Sequence, residues 1–176
     1  MDIMRELRRS RHALTIAGAG VIAFGFWTVL KMTMLMFSDT SEVDEIVAEA
    51  IAQVPMEDVE IERIVFLVVF YSVVAILLLL FFLLHLYIGR ACIAVGKNEK
   101  RRFMYLPLSL FLGILFLVSV RYNILHFTTE FDSAFDGFAT TVFDLSSGIT
   151  MLGIVYSSVR IAVLKWKLRR GQADEH

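Results

Sequence analysis

The stretch IVFLVVFYSVVAILLLLFFLLHLYI, residues 64–88, decides the fold, because it runs for 25 residues without a formal charge. A helix rises 1.5 Å per residue, so about 20 apolar residues cross the hydrocarbon core of a bilayer. The whole chain has 176 residues, 57% of them hydrophobic and only 20% charged, an apolar share above that of typical soluble domains. The sequence therefore predicts a transmembrane helix at residues 64–88, with lipid as its solvent.

Three more segments predict membrane spans, at residues 13–37, 103–127 and 138–164. The first two each contain an uncharged run of 18 residues. The last is weaker, because only residues 145–159 are uncharged, and it reaches spanning length by including Asp144 and letting Arg160 snorkel at its end. We expect an all-α polytopic membrane protein, a four-helix transmembrane bundle formed as a single domain by residues 1–176.

The distribution of basic residues predicts the orientation. Of the 17 Lys and Arg residues, 14 lie in or beside residues 1–12, 89–102 and 165–176, whereas the alternate loops, 38–63 and 128–137, contain a single one, Arg63. Lys and Arg in short loops stay on the cytoplasmic side during insertion. This pattern predicts a multi-pass protein of a cell membrane, best a bacterial inner membrane, with both termini cytoplasmic. It also predicts anionic lipid as a partner at the cytoplasmic face, and no nucleic-acid partner.

Both outer loops contain apolar residues at helical spacing, which predicts short amphipathic helices on the outer surface. In the first loop these residues are Val43, Ile46, Val47, Ala50, Ile51 and Val54. At the second loop they are Phe127, Phe131, Phe135 and Phe138.

Ionisable residues inside the spans are the first candidate site, because a charge at membrane depth is costly and often functional. Lys31, Arg121 and Asp144 each lie six residues inside the outer end of a predicted span, at a common depth of about 9 Å. The side chains that complete this predicted outer polar layer are Tyr71, Ser72, Asn123 and His126. Two interpretations stay open: Asp144 pairs with Arg121 or Lys31 and the layer holds an ion or anionic solute, or the two cations only snorkel outward.

Small residues at helical spacing are the second candidate feature, because they let transmembrane helices approach closely. Gly18 and Gly25 share a face of the first span. In the fourth span the stripe consists of Ser146, Thr150, Gly153 and Ser157. We expect these faces to pack against other helices, either within one chain or between copies.

The sequence shows no convergent nucleophile, base or metal ligands, and its single cysteine, Cys92, excludes an internal disulfide. We therefore expect neither an enzyme nor a cofactor or metal. The first hypothesis is a membrane component that forms homo-oligomers or binds a membrane protein partner, as an accessory or scaffold. The second is a small channel or transporter that uses the outer polar layer, and a membrane enzyme is a distant third.

Overall fold

The computed structural model of the chain is helical throughout the residues that it describes, which are 3–38, 45, 49, 59–99, 104–125 and 134–173. In that part of the chain the helices are α1 (Ile3–Ser38), α2 (Val59–Gly96), α3 (Tyr105–Leu125) and α4 (Ala134–Ala173). All four are long and apolar enough to cross a membrane. The predicted all-α fold with four membrane-spanning helices is confirmed.

Helices α1, α2 and α4 extend beyond their predicted spans, whereas α3 lies within the predicted 103–127. The segments suited to a membrane are Ile3–Met34, Arg63–Gly96, Tyr105–Leu125 and Gly137–Arg170. Hydropathy indicates only the part of a helix that is apolar enough to lie in lipid. The arginine-rich residues before residue 13 and after residue 164 lie outside the predicted spans, but they continue the same helices.

Little of the outer loops lies within the described residues. In the first loop Glu45 and Glu49, one turn apart, are helical and exposed, as expected for the polar face of the predicted amphipathic helix. The apolar face of that helix lies outside the described residues. In the second loop, α4 begins at Ala134, so Phe135 and Phe138 belong to that helix, and Phe138 is exposed.

The chain divides into two compact units. The first contains residues 1–24 and 85–176, and the second contains residues 25–84. The most apolar part of α2 is not covered by the rest of the chain: no residue of its most hydrophobic 18-residue stretch is buried. Side chains such as Val68, Ile76 and Leu79 expose more than half of their surface, as expected for a span with few small residues.

In the first unit, the beginning of α1 packs antiparallel against the end of α2 through glycines. A Cβ atom built on Gly18 would lie 2.7 Å from the carbonyl oxygen of Gly89, and one built on Gly89 would lie 2.6 Å from that of Gly18. One built on Gly96 would collide with Thr15 and the carbonyl of Arg11. Real Cβ atoms do not approach other atoms so closely. The two backbones can therefore touch only where the residue is glycine, whose side chain is a hydrogen atom.

The buried face of α1 fits this contact: Leu7, Ser10, Leu14, Gly18 and Val21 follow one another at intervals of three or four residues. Such spacing places them along a single stripe of the helix.

A second antiparallel pair in the same unit joins α3 to α4. Gly113 of α3 faces Met151 and Leu152, and Gly148 of α4 faces Phe116 and Leu117. Each glycine therefore receives bulky side chains of the opposite helix, and the two helices interlock at mid-span.

Helix α2 ends in a cap that depends on Asn98, the one described residue other than glycine with a positive φ, at 65°. The backbone N–H of Asn98 donates to the carbonyl oxygen of Val95 at 3.0 Å, and the backbone N–H of Glu99 donates to that of Ala94 at 2.9 Å. This pair of hydrogen bonds is the Schellman motif, in which asparagine is the usual substitute for glycine.

Candidate functional site

The carboxylate of Asp144 is the centre of a polar cluster between α3 and α4. Its Oδ2 accepts a hydrogen bond from Ser119 Oγ at 2.7 Å and another from Asn123 Nδ2 at 3.1 Å. Ser119 and Asn123 are one turn apart on α3, so both point to the same side of that helix. Asp144 itself is half-buried. Two side chains of the neighbouring helix thus satisfy one oxygen of this half-buried group.

Arg121 does not share that side of α3. It lies two residues from both Ser119 and Asn123, a rotation of about 200° around the helix from each, and it is exposed. Asp144 accepts hydrogen bonds from two neutral side chains of α3, and its pairing with Arg121 or Lys31 stays a prediction.

The other residues of the predicted outer layer are distributed between the two units. Lys31, Tyr71 and Ser72 belong to the second unit, whereas Arg121, Asn123 and Asp144 belong to the first. Ser72 donates to the carbonyl of Val68 in its own helix at 2.6 Å. His126 lies outside the described residues. The structure thus brings Asn123 and Asp144 together, and a layer that contains all seven residues stays a prediction.

The carboxylate of Asp144 and the hydroxyl of Ser119 supply oxygen atoms, the ligands that hard cations prefer, so the cluster is chemically able to bind a cation. At mid-span Gly113 of α3 faces Met151 of α4, and the apolar residues Leu112, Met151 and Ile154 are buried.

A second polar contact between α3 and α4 lies near their basic ends. The hydroxyls of Tyr105 and Ser158 are 2.7 Å apart, and both residues are buried. Ser109 donates to the carbonyl of Tyr105 at 2.7 Å in the same helix. The pair resembles the Asp144 cluster in joining α3 to α4, and together they fix both ends of this helix pair.

Asn98 joins three helices at the basic end. Its Oδ1 accepts hydrogen bonds from Arg11 Nη2 of α1 at 3.0 Å and from Lys165 Nζ of α4 at 2.8 Å. An exposed ion pair of Arg160 with Glu6, 3.4 Å apart, adds a further link between α1 and α4. Sequence reasoning missed Asn98, although an asparagine just after an apolar run is a typical helix-ending residue.

The buried face of α4 is offset by one residue from the predicted small stripe. The described residues of α4 that are buried are Gly137, Ser147, Gly148, Met151, Ile154, Ser158, Ile161 and Leu164. Ser146, Thr150, Gly153 and Ser157, rotated by about 100°, are only half-buried. Small residues occur on both stripes, so composition did not determine which one faces the core.

The glycines of the two predicted stripes have different surroundings. Gly18 touches Gly89, as described above, and Gly25 is buried in the second unit. A Cβ on Gly20 would lie 3.9 Å from Thr150, so Thr150 faces α1. A Cβ on Gly153, by contrast, would meet no atom within 4 Å.

Helix α2 contains two buried residues with reactive side chains, His85 and Cys92. Cys92 is wholly buried and lies against Gly18, and His85 is wholly buried with its ring edge-on to Phe116, centroids 6.1 Å apart. Among the described residues no three His, Cys, Asp or Glu side chains converge in a way that could hold a metal ion.

Comparison with known protein families, characterised proteins and solved structures found no match to this chain.

Proposed function

We propose that this multi-pass membrane protein is a structural component that associates with itself or with another membrane protein. The observation that supports the proposal is Gly153, a glycine in the middle of α4 that faces open space within the chain. No enzymatic reaction is part of the proposal. A bacterial inner membrane with cytoplasmic termini is its expected setting.

Helix association in lipid depends on close packing, because lipid tails are as apolar as leucine and no water is released between helices. Gly153 forms a notch between Ile149 and Tyr156, which lie on the same face and expose 59% and 66% of their surface. A ridge of another helix fits such a notch flanked by large side chains. Glycine is also about 1 kcal/mol poorer than alanine in a helix interior, so a glycine that serves no internal contact is suited to an external one.

The test is the size of the particle purified in mild detergent, measured by light scattering, together with crosslinking in native membranes. The wild-type chain is expected to form a complex that Gly153→Leu dissociates. The variant should keep its thermal stability, because the new side chain enters open space. Ala19→Leu, on the exposed side of α1, is the matched control and should leave the complex intact. A monomeric wild-type protein without a partner, or a Gly153→Leu complex of unchanged size, would contradict the proposal.

A small conductor of ions or anionic solutes is the second candidate, supported by the carboxylate of Asp144 and its donors Ser119 and Asn123. Flux through liposomes that contain purified protein tests it directly. A flux that Asp144→Asn abolishes would favour this role, and absence of flux for inorganic ions and small anions would exclude it. The scaffold ranks higher because the buried apolar residues Leu112, Met151 and Ile154 lie between this cluster and the second polar contact, Tyr105–Ser158.

A further inference from the structure

A groove of about 330 Å³ opens on the surface of the first unit near the basic end of α4. Its apolar walls include Val95 of α2, Leu106 of α3, and Ile161 and Ala162 of α4. The size falls within the range of about 300 to 1,000 Å³ for pockets that bind small molecules. Since the groove lies on helices that cross the membrane, the molecules that reach its walls first are lipids.

The groove changes from apolar to cationic along its length. Ser158, Ala162, Lys165 and Arg169 follow one another on the face of α4 that lines it. These positions are separated by four, three and four residues, so they span about 16 Å of helix. The buried Tyr105–Ser158 pair forms the deep end, and the two cations form the end nearest the water.

The cationic end is fixed by other parts of the protein. Lys165 donates to Asn98 at 2.8 Å, and Asn98 is in turn held in the cap that ends α2. Trp166 also lines the groove and is half-exposed. Tryptophan is enriched at the level of lipid headgroups, which is consistent with this end of the groove lying at the membrane surface.

We propose that the groove binds one anionic phospholipid, with an acyl chain along Val95, Leu106 and Ala162 and with its phosphate between Lys165 and Arg169. Charge complementarity favours this occupant: the phosphate is anionic and its site has two cations, while the remainder of the lipid and of the groove is apolar. Basic pockets between transmembrane helices are a common way to recognise such headgroups. The lipid comes from the leaflet at the basic end of α4, which is expected to be the cytoplasmic one.

Trp166 supplies the assay, because it lies in the groove and the chain has only two tryptophans. In a Trp27→Phe background, the protein is reconstituted in phosphatidylcholine with a small fraction of brominated phosphatidylglycerol or brominated phosphatidylcholine, at 0.15 M salt. Bromine quenches tryptophan only at close range. Quenching should require a lower fraction of the anionic lipid than of the zwitterionic one.

Two double variants, each of which removes two positive charges, distinguish binding in the groove from general attraction of anionic lipid to the basic surface. Replacing Lys165 and Arg169 by glutamine should lower the preference for the anionic lipid about fivefold for each cation removed. Replacing Lys97 and Lys167, which are exposed and outside the groove, should lower it less, because neither side chain lines the site proposed for the phosphate. Ala162→Phe, on an exposed position, should fill the groove and reduce quenching by both lipids.

Several outcomes would overturn the proposal. Equal quenching by the two lipids, or equal losses in the two double variants, would mean that no specific headgroup site exists. Displacement of the brominated lipid by inorganic phosphate alone would identify a site for free anions. If Ala162→Phe changed the size of the particle and not the quenching, the groove would be occupied by a second copy of the chain.

Discussion

Replacing Gly89 by alanine adds one methyl group at the point where α1 and α2 touch. The new Cβ would lie 2.6 Å from the carbonyl oxygen of Gly18 and would overlap the side chain of Ile22. Ile22 can rotate away, but the carbonyl belongs to the backbone of α1. The methyl group therefore fits only if the two helices separate.

Overpacking of this kind costs typically about 1–3 kcal/mol, and we expect the upper end because a backbone must move. Gly153→Ala is the matched control: it adds the same methyl group where no atom lies within 4 Å. It should be neutral, or stabilising by the helix preference of alanine, up to about 1 kcal/mol. The two variants should thus differ by about 3–4 kcal/mol, which corresponds to roughly 6–16 °C in Tm for a chain of this size.

Cys92 provides the assay, because it is the only cysteine, is wholly buried, and lies beside Gly18 in the same contact. A thiol-reactive fluorophore added during heating in detergent reports when α1 separates from α2. Gly113→Ala, whose Cβ would lie 3.2 Å from Met151, should have an intermediate effect. Equal melting temperatures for Gly89→Ala and Gly153→Ala, or labelling of Cys92 in the unheated wild type, would refute the reasoning.

Two further predictions concern the polar contacts. In a double-mutant cycle on thermal stability, Asp144→Asn and Asn123→Ala should be coupled by about 0.6 kcal/mol, and by no more than about 1.7, as for other hydrogen bonds between helices in membranes. Asp144→Asn and Arg121→Gln should be additive, because Arg121 lies on the other side of α3, and coupling of that pair would show that the helix is rotated differently. Asn98→Ala and Asn98→Gly both lose the contacts with Arg11 and Lys165, and alanine should be about 1–2 kcal/mol less stable than glycine at this left-handed position. Asn98→Gly loses only those contacts, so equal melting temperatures of the two variants would argue against the cap.

The polar layer shows why the candidate site was predicted only in part. Counting residues from the end of a span predicts depth, and on that basis Lys31, Arg121 and Asp144 were expected to form one layer. The partner of a side chain also depends on rotation, and one residue changes the direction by about 100°. Ser119 has no charge and attracted no notice in the sequence, yet it is the closer of the two donors to Asp144.

The stripe on α4 shows the same ambiguity in packing. Residues 146, 150, 153 and 157 are all small or hydroxylated. The neighbouring set, 147, 148, 151, 154 and 158, also contains a glycine and two serines, together with Met151 and Ile154. Either set is compatible with a helix contact in lipid. Only the position of α3, with Phe116 and Leu117 against Gly148, determines which stripe is internal and leaves Gly153 open.

The sequence by itself determined that the chain resides in a membrane, that it crosses as four helices, and roughly where each one lies. Transfer from water to lipid depends on the composition of one segment at a time, so a local count of apolar and charged residues is sufficient. The tertiary structure alone decided which faces touch: Gly18 on Gly89, Ser119 and Asn123 on Asp144, Asn98 between Arg11 and Lys165. Those contacts depend on how helices far apart in the chain rotate and approach, and no single segment contains that information.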